Sequence, residues 1–224
     1  MEDITPTDWT SYYNHKKNPL YNMVSSYTQR FTLKIIIDGF LNSRKNSHGK
    51  ICELGGGNSC FAENLCKKLD LDCYDIVDSN ELSVMLFNSK VLGIPKSSFC
   101  VDLLAEDCQP AKEYDFVYSI GLIEHFRGNN IDTVIKRHFD YCKSDGTVLI
   151  SFPTPTRKYC FWRGVMERAG VWQFTDEEAL PPDRVIPVMA KLGSIQKHFL
   201  NDKLALTQYV VIAKKLNSGV VTQN

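Results

Sequence analysis

The chain has 224 residues, and its 26 Lys and Arg balance its 26 Asp and Glu, so the formal net charge is zero. That length suits one α/β domain with a full core, and the balance gives no overall electrostatic pull toward nucleic acid or an anionic membrane surface. No apolar run approaches the ~20 residues of a membrane span, the acidic start (Glu2, Asp3, Asp8) does not read as a signal peptide, and eight cysteines without a C-x-x-C pair fit a reduced, cytoplasmic protein better than a zinc knuckle.

Residues 1–49 are rich in aromatics: Trp9, Tyr12, Tyr13, Tyr21, Tyr27 and Phe31. From about Tyr21 the apolar positions (Val24, Tyr27, Phe31, Ile35, Phe40) fall at helical spacing, which predicts one or two helices before a polar loop from Ser43 to Gly49. Such helices either cover one flank of a sheet or close over a ligand.

At Lys50 the pattern changes. Ile51-Cys52-Glu53-Leu54 is a short apolar run carrying one acid, and Gly55-Gly56-Gly57 follows directly, with Phe61, Leu65 and Leu69 marking an amphipathic segment beyond. This reads as strand, tight glycine turn and helix, with Glu53 at the strand's carboxyl end. Glycines permit positive φ and let a ligand approach the backbone, and the helix start offers unpaired N–H groups. A phosphate loop would need Lys-Ser/Thr after the last glycine, where Asn58-Ser59 stands. A dinucleotide fingerprint wants a small residue where Cys60 lies, and Glu53 would crowd a pyrophosphate.

A second strand, Leu71 to Val77, ends in Asp78 about twenty residues beyond the glycines, where an acid can accept from both hydroxyls of a ribose. The alternative for Asp78 is a cap on the helix predicted from Ser79 to Asn88. A third strand around Ser98 to Val101 closes on Asp102-Leu103. The fourth, Tyr114 to Ile120, contains Ser119 and leads through Gly121 into Leu122-Ile123-Glu124-His125-Phe126. A helix from Ile131 to Lys143 and a fifth strand from Thr147 to Phe152 follow, ended by Pro153 and Pro155. An insert at about 153–182 carries Trp162, Trp172 and Asp176-Glu177-Glu178, with a helix from Lys158 to Ala169. Pro182 opens another helix to Leu192, and Ser194–Leu200 and Leu204–Lys214 form a terminal hairpin, with 215–224 a frayed tail.

The acid-x-Gly-x-Gly frame at Glu53, the acids at Asp78 and Asp102, and the Asp115-Phe116-Val117-Tyr118-Ser119 run into Glu124-His125 together resemble the small-molecule class I S-adenosylmethionine-dependent methyltransferases. The resemblance covers roughly residues 50–214. It implies a Rossmann-like seven-stranded sheet with helices on both faces and a C-terminal antiparallel hairpin, with residues 1–49 a helical segment placed to act as a lid. It also implies S-adenosyl-L-methionine as cofactor, held by Glu53, Gly55, Gly56, Gly57, Asp78, Ser79, Asp102 with Leu103 on the adenine, and Ser119. Tyr12, Tyr13, Tyr27 and Arg30 are the lid residues expected to reach the cofactor, Arg30 as a partner for its carboxylate. Relatives with Glu-x-x-Glu-His bind a divalent ion there; Gly121 replaces the first acid, so no metal is expected. His125 is the candidate general base or else a packing residue, and the acceptor is expected to be a small-molecule hydroxyl in a sugar, lipid or polysaccharide intermediate. A small amine acceptor, a nicotinamide oxidoreductase and a non-catalytic module of the same fold stay open beside it.

Overall fold

The computed structural model of the chain describes residues 5–14, 19–43, 48–110, 112–203 and 206–216, with backbone alone for 19–25. The expected tail lies almost wholly outside these residues, as does most of the polar loop before the first strand.

Five strands form in the order foreseen: β1 (Lys50–Leu54), β2 (Cys73–Asp78), β3 (Lys96–Cys100), β4 (Tyr114–Ile120) and β5 (Cys142–Pro153). Two more, β6 (Gly193–Asn201) and β7 (Gln208–Lys215), close the chain. They make one seven-stranded sheet in the order β3-β2-β1-β4-β5-β7-β6. β1 to β5 pair in parallel, whereas β7 runs antiparallel to both β5 and β6. This is the Rossmann-like sheet with its antiparallel C-terminal hairpin.

The central strands are buried on both faces, as parallel strands flanked by helices must be. One face packs on α2 (Pro19–Asn42), α3 (Ala62–Lys68) and α4 (Glu81–Asn88), through Ile36, Phe40, Leu65 and Phe87 against Ile51, Tyr74, Phe116 and Tyr118. The other packs on α5 (Asn129–Tyr141) and α7 (Pro182–Leu192), through Ile131, Val134, Ile135, Val185 and Met189 against Cys52, Val117, Val148 and Ile150. Two elements remain, α1 (Trp9–Asn14) and α6 (Arg157–Arg168), the latter in the insert. Strand order reverses between β1 and β4, the switch point where such sheets open a ligand crevice at the strands' carboxyl ends.

Two boundaries differ from the sequence reading for local reasons. The helix after β2 begins at Glu81 because Asn80, not Asp78, accepts the Ser83 N–H as its cap. β5 begins five residues before Thr147, because Tyr114 of β4 still pairs with Cys142 across an irregularity in register.

Candidate active site

The glycine turn between β1 and α3 is built as its composition requires. Gly55 (φ +64°) and Gly57 (φ +50°) sit in the left-handed region, which glycine enters without steric cost. A Cβ on Gly55 would meet the Leu122 side chain at 2.5 Å, and one on Gly57 would meet the Tyr13 hydroxyl at 1.9 Å. The turn is therefore packed tightly against both the β4 crossover and α1.

Glu53 lies beneath it, 4% exposed, accepting from the Ser59 and Tyr74 hydroxyls, and Tyr74 in turn meets Tyr118 at 2.6 Å. Burial lifts its carboxyl to about 7, against those hydrogen bonds, which pull the other way. Asp78 accepts from the Gly57 N–H and the Asn80 N–H, both at 2.8 Å, and from the Ser83 hydroxyl at 3.3 Å. Burial raises its pKa above the ordinary carboxylate range, and the two backbone N–H bonds oppose it.

After β4 the chain turns through Gly121 at φ +69°, and a Cβ there would stand 3.2 Å from the Glu124 carboxylate. Glycine enters this left-handed turn without steric cost. A short 3-10 turn, Ile123–His125, then presents Glu124 and His125. Nδ1 of His125 lies 2.8 Å from an Asp176 carboxylate oxygen contributed by the insert. Asp176 also takes the Thr7 N–H at 3.1 Å and the Thr7 hydroxyl, while the Arg127 guanidinium donates to its backbone carbonyl. Trp9 sets its ring edge-on to His125 with centroids 5.0 Å apart, and Phe174 and Tyr12 complete the wall. Burial lowers the His125 pKa below the ordinary imidazole value, although Asp176 favours the charged form. Burial acts to raise Asp176, yet its bonds to Thr7 and His125 win and hold it below the usual carboxylate range.

A cavity of about 510 Å³ joins the two halves, lined by Glu53, Gly55, Gly56, Asn58 and Ser59 on one side and by Gly121, Glu124, His125, Tyr159 and Glu177 on the other. Trp9, Tyr12, Tyr13, Trp172 and Phe174 form its roof. Glu124 is 2% exposed, and one of its carboxylate oxygens has no hydrogen-bond partner. Glu177 accepts from the Tyr159 hydroxyl. One ligand atom each from Glu124, His125 and Glu177 lie within 4.8 Å of one another, so among the described residues this is the set that could hold a metal ion.

The sequence-predicted residues thus divide. Glu53, Gly55, Gly56 and His125 line the cavity, with Gly57 and Asp78 directly behind Tyr13. Ser79 and Asp102 are exposed beside the β2 and β3 ends, the Asp102 carboxylate accepting the Leu104 N–H at 2.9 Å. Three expectations need correction. Leu103 is 5% exposed and packs into the core on the α5 face, so it offers no surface for a ring. Ser119 is fully buried, its hydroxyl 2.8 Å from His138 Nε2 of α5, because strand alternation turns it to the opposite face from Tyr118. Tyr27 and Arg30 are exposed on α2 and lie off the cavity; Tyr27 packs on Phe31 instead. α1 crosses the cleft with Tyr12 and Tyr13, and the middle of α2 contributes Gln29 to the cavity wall. Asp176 and Trp9 were missed as partners of His125. Only their residue types were visible in the sequence, because the contacts span 51 residues for Asp176 and more than a hundred for Trp9.

A family model described as a methyltransferase domain matches residues 26–181, more than half the chain. No curated protein matches the sequence. Among solved structures, the magnesium protoporphyrin IX methyltransferase of Synechocystis, crystallised with S-adenosylhomocysteine, superposes with a TM-score of 0.70 at 14% identity, covering 92% of each chain. The N-methyltransferase NodS of Bradyrhizobium japonicum, in complex with the same ligand, gives 0.63 at 11% identity, covering 84% of this chain and 87% of that one. A methyltransferase of Methanosarcina mazei gives 0.60 at 11% identity, covering 79% and 96%. At such identities these neighbours speak for the fold.

Proposed function

The chain belongs to the methyltransferase domain family, and on that premise we propose that it transfers a methyl group from S-adenosyl-L-methionine to a hydroxyl of a small molecule, with His125 as the general base. The observation that carries the choice of acceptor is the His125–Asp176 pair in the cavity wall.

The residues fit the donor. The glycine turn bares its backbone at positive φ, and the buried Glu53 can ionise near neutrality to meet an ammonium. Asp78, which already accepts from Gly57, Asn80 and Ser83, keeps about one acceptor position for a ribose hydroxyl once Tyr13 moves aside. Glu53 would hold the amino-acid end and Asp78 the ribose. When bound, the donor supplies a methyl carbon that its sulfonium has already made electrophilic.

The chain's own work is then alignment and proton removal. Holding acceptor and donor in line supplies ~7–11 kcal/mol of the barrier, and Trp9, Tyr12 and Phe174 roof part of the cavity. Asp176 is ionised, so His125 Nδ1 carries the proton and donates it to the carboxylate. Nε2 is left with its lone pair for the acceptor hydroxyl. Burial keeps the ring neutral at neutral pH, the state a base requires, and Asp176 stabilises the imidazolium that forms.

The test is direct. S-adenosylhomocysteine at 100 times its dissociation constant is expected to add ~2.7 kcal/mol of stability in a thermal-shift titration, and labelled methyl is expected on oxygen in a screen of hydroxyl acceptors. Stabilisation by NAD without any by S-adenosylhomocysteine would overturn the reading.

A further inference from the structure

Beyond the His125–Asp176 pair, the acceptor half of the cavity holds two carboxylates that proton abstraction does not use. Glu124 is 2% exposed and leaves one oxygen without a hydrogen-bond partner. Glu177, reaching over from the insert, brings a carboxylate oxygen within 4.8 Å of a Glu124 carboxylate oxygen. Burial, with repulsion from neighbouring carboxylates adding to it, pushes both pKa values up and favours the protonated forms, and a positive charge placed between them is what would let both ionise. The protein supplies little. Lys90, also on the cavity wall, pairs with Glu63 at 3.1 Å, and Arg127 pairs with Glu178 at 3.2 Å. Arg163 stands over the Trp172 ring, 5.1 Å from its centroid, and meets the Tyr159 hydroxyl at 3.1 Å, so its charge favours the ionised form of Glu177 but it makes no direct hydrogen bond to that carboxylate.

The surroundings say which kind of cation fits. Trp9, Phe174 and Trp172 form a continuous run of rings, with centroids 5.9 Å and 5.6 Å apart, and that run touches His125 beside the two carboxylates. Aromatic faces attract organic cations and bury their methylenes, whereas a divalent ion retains water and prefers an all-polar shell. Glu177 has also committed one oxygen to Tyr159.

We propose that the acceptor carries a protonated amine, anchored between Glu124 and Glu177 against the Trp9–Phe174 wall, while a hydroxyl of the same molecule meets His125. This deepens the hydroxyl-methylation reading and rests on it. The substrate class becomes a hydroxylated alkylammonium or arylalkylammonium. The nitrogen is the anchor and not the nucleophile, because its lone pair is occupied by the proton that draws it to the carboxylates.

The experiment uses the full chain saturated with S-adenosylhomocysteine, titrated calorimetrically with tyramine and with tyrosol, its uncharged isostere. Wild type is expected to bind tyramine at least tenfold more tightly. Glu124→Gln is expected to abolish the preference and Glu177→Gln to reduce it, with affinity for S-adenosylhomocysteine unchanged in both. Equal affinity for the two probes in wild type, or a preference that persists in both variants, would overturn the proposal. So would saturable Mn²⁺ binding that displaces tyramine, or methyl appearing on nitrogen in a turnover assay. Weaker binding of S-adenosylmethionine than of S-adenosylhomocysteine in Glu124→Gln alone would assign the carboxylate to the sulfonium and overturn it too. Binding of S-adenosylhomocysteine is measured first. Its absence strikes the methyl-transfer reading as well, and its presence with equal probe affinities strikes the anchor alone.

Discussion

His125 and Asp176 form a pair whose members need one another. Without Asp176 the imidazole would be free to flip or to place its proton on Nε2, where it could not accept another. His125→Ala is therefore expected to lower turnover by about 10²–10⁴-fold with affinity for S-adenosylhomocysteine near wild type. Asp176→Asn is expected to lose a comparable factor, because an amide that donates to Nδ1 forces the wrong tautomer. Steady-state kinetics beside calorimetry separates these effects; a His125→Ala variant that turns over normally once folded would return the residue to packing. His125 was legible as a candidate because the Leu122-Ile123-Glu124-His125-Phe126 run after an apolar strand resembles a methyltransferase motif. Its partner was not, since nothing in Thr175-Asp176-Glu177 distinguishes an acid in a dyad from one in solvent. Glu53 and Asp78 could be picked out by their distance from three glycines. Leu103 and Ser119 misled because the side of a strand end on which a side chain falls depends on register, which two residues of sequence do not specify.

At the scale of elements, the strand and helix order was readable because each βα unit repeats one grammar of apolar run, turn residue and amphipathic stretch. The placement of α1 was not readable, because six residues with three aromatics carry no address. The structure supplies it. The Thr7 N–H and hydroxyl hold Asp176, the Thr175 hydroxyl donates to the Thr5 carbonyl at 2.7 Å, and Asn80 donates to Thr10 at 3.0 Å. α1 thus straps the insert to the start of α4 across the cleft. A hydrogen bond to a charged group contributes ~1.5–3 kcal/mol, so Thr7→Val is expected to raise the open population of the strap by about 10–100-fold. Chymotryptic cleavage at Trp9, Tyr12 and Tyr13 reads that population when opening is fast relative to cutting. Cleavage is expected to speed up correspondingly, and Asp176, freed of Thr7, to hold His125 less firmly. An unchanged cleavage rate would mean that the aromatic wall alone keeps α1 in place.

For the molecule as a whole, the charges buried in its core set how stability varies with pH, and His138 of α5 is the clearest case. Its ring is wholly buried, with Nδ1 2.8 Å from the Val134 carbonyl and Nε2 2.8 Å from the Ser119 hydroxyl. Nδ1 donates to the carbonyl and Nε2 accepts from the hydroxyl, so both nitrogens are satisfied in the neutral ring without a buried charge. Burial accordingly pushes its pKa down to about 4, against ~6.5 for an imidazole in the unfolded chain. The unfolded state binds the extra proton first. The contribution of His138 is therefore fully present above ~6.5 and is lost as pH falls toward 4. Between pH 7.5 and 5 the loss amounts to about 2 kcal/mol. Glu53 and Glu124, whose pKa values burial raises, tilt the other way, since each is favoured folded when protonated. The wild-type curve alone therefore mixes signs, and the test must be a difference. Urea unfolding of wild type and His138→Gln at pH 7.5 and pH 5 isolates the residue, because glutamine can donate and accept without titrating. The variant is expected to be less stable at pH 7.5, having lost the fit of the ring between Ser119 and Val134. The gap is expected to narrow by about 2 kcal/mol at pH 5. Parallel pH dependences for the two proteins would mean that the core admits the charged ring, with Ser119 or water accepting its second proton.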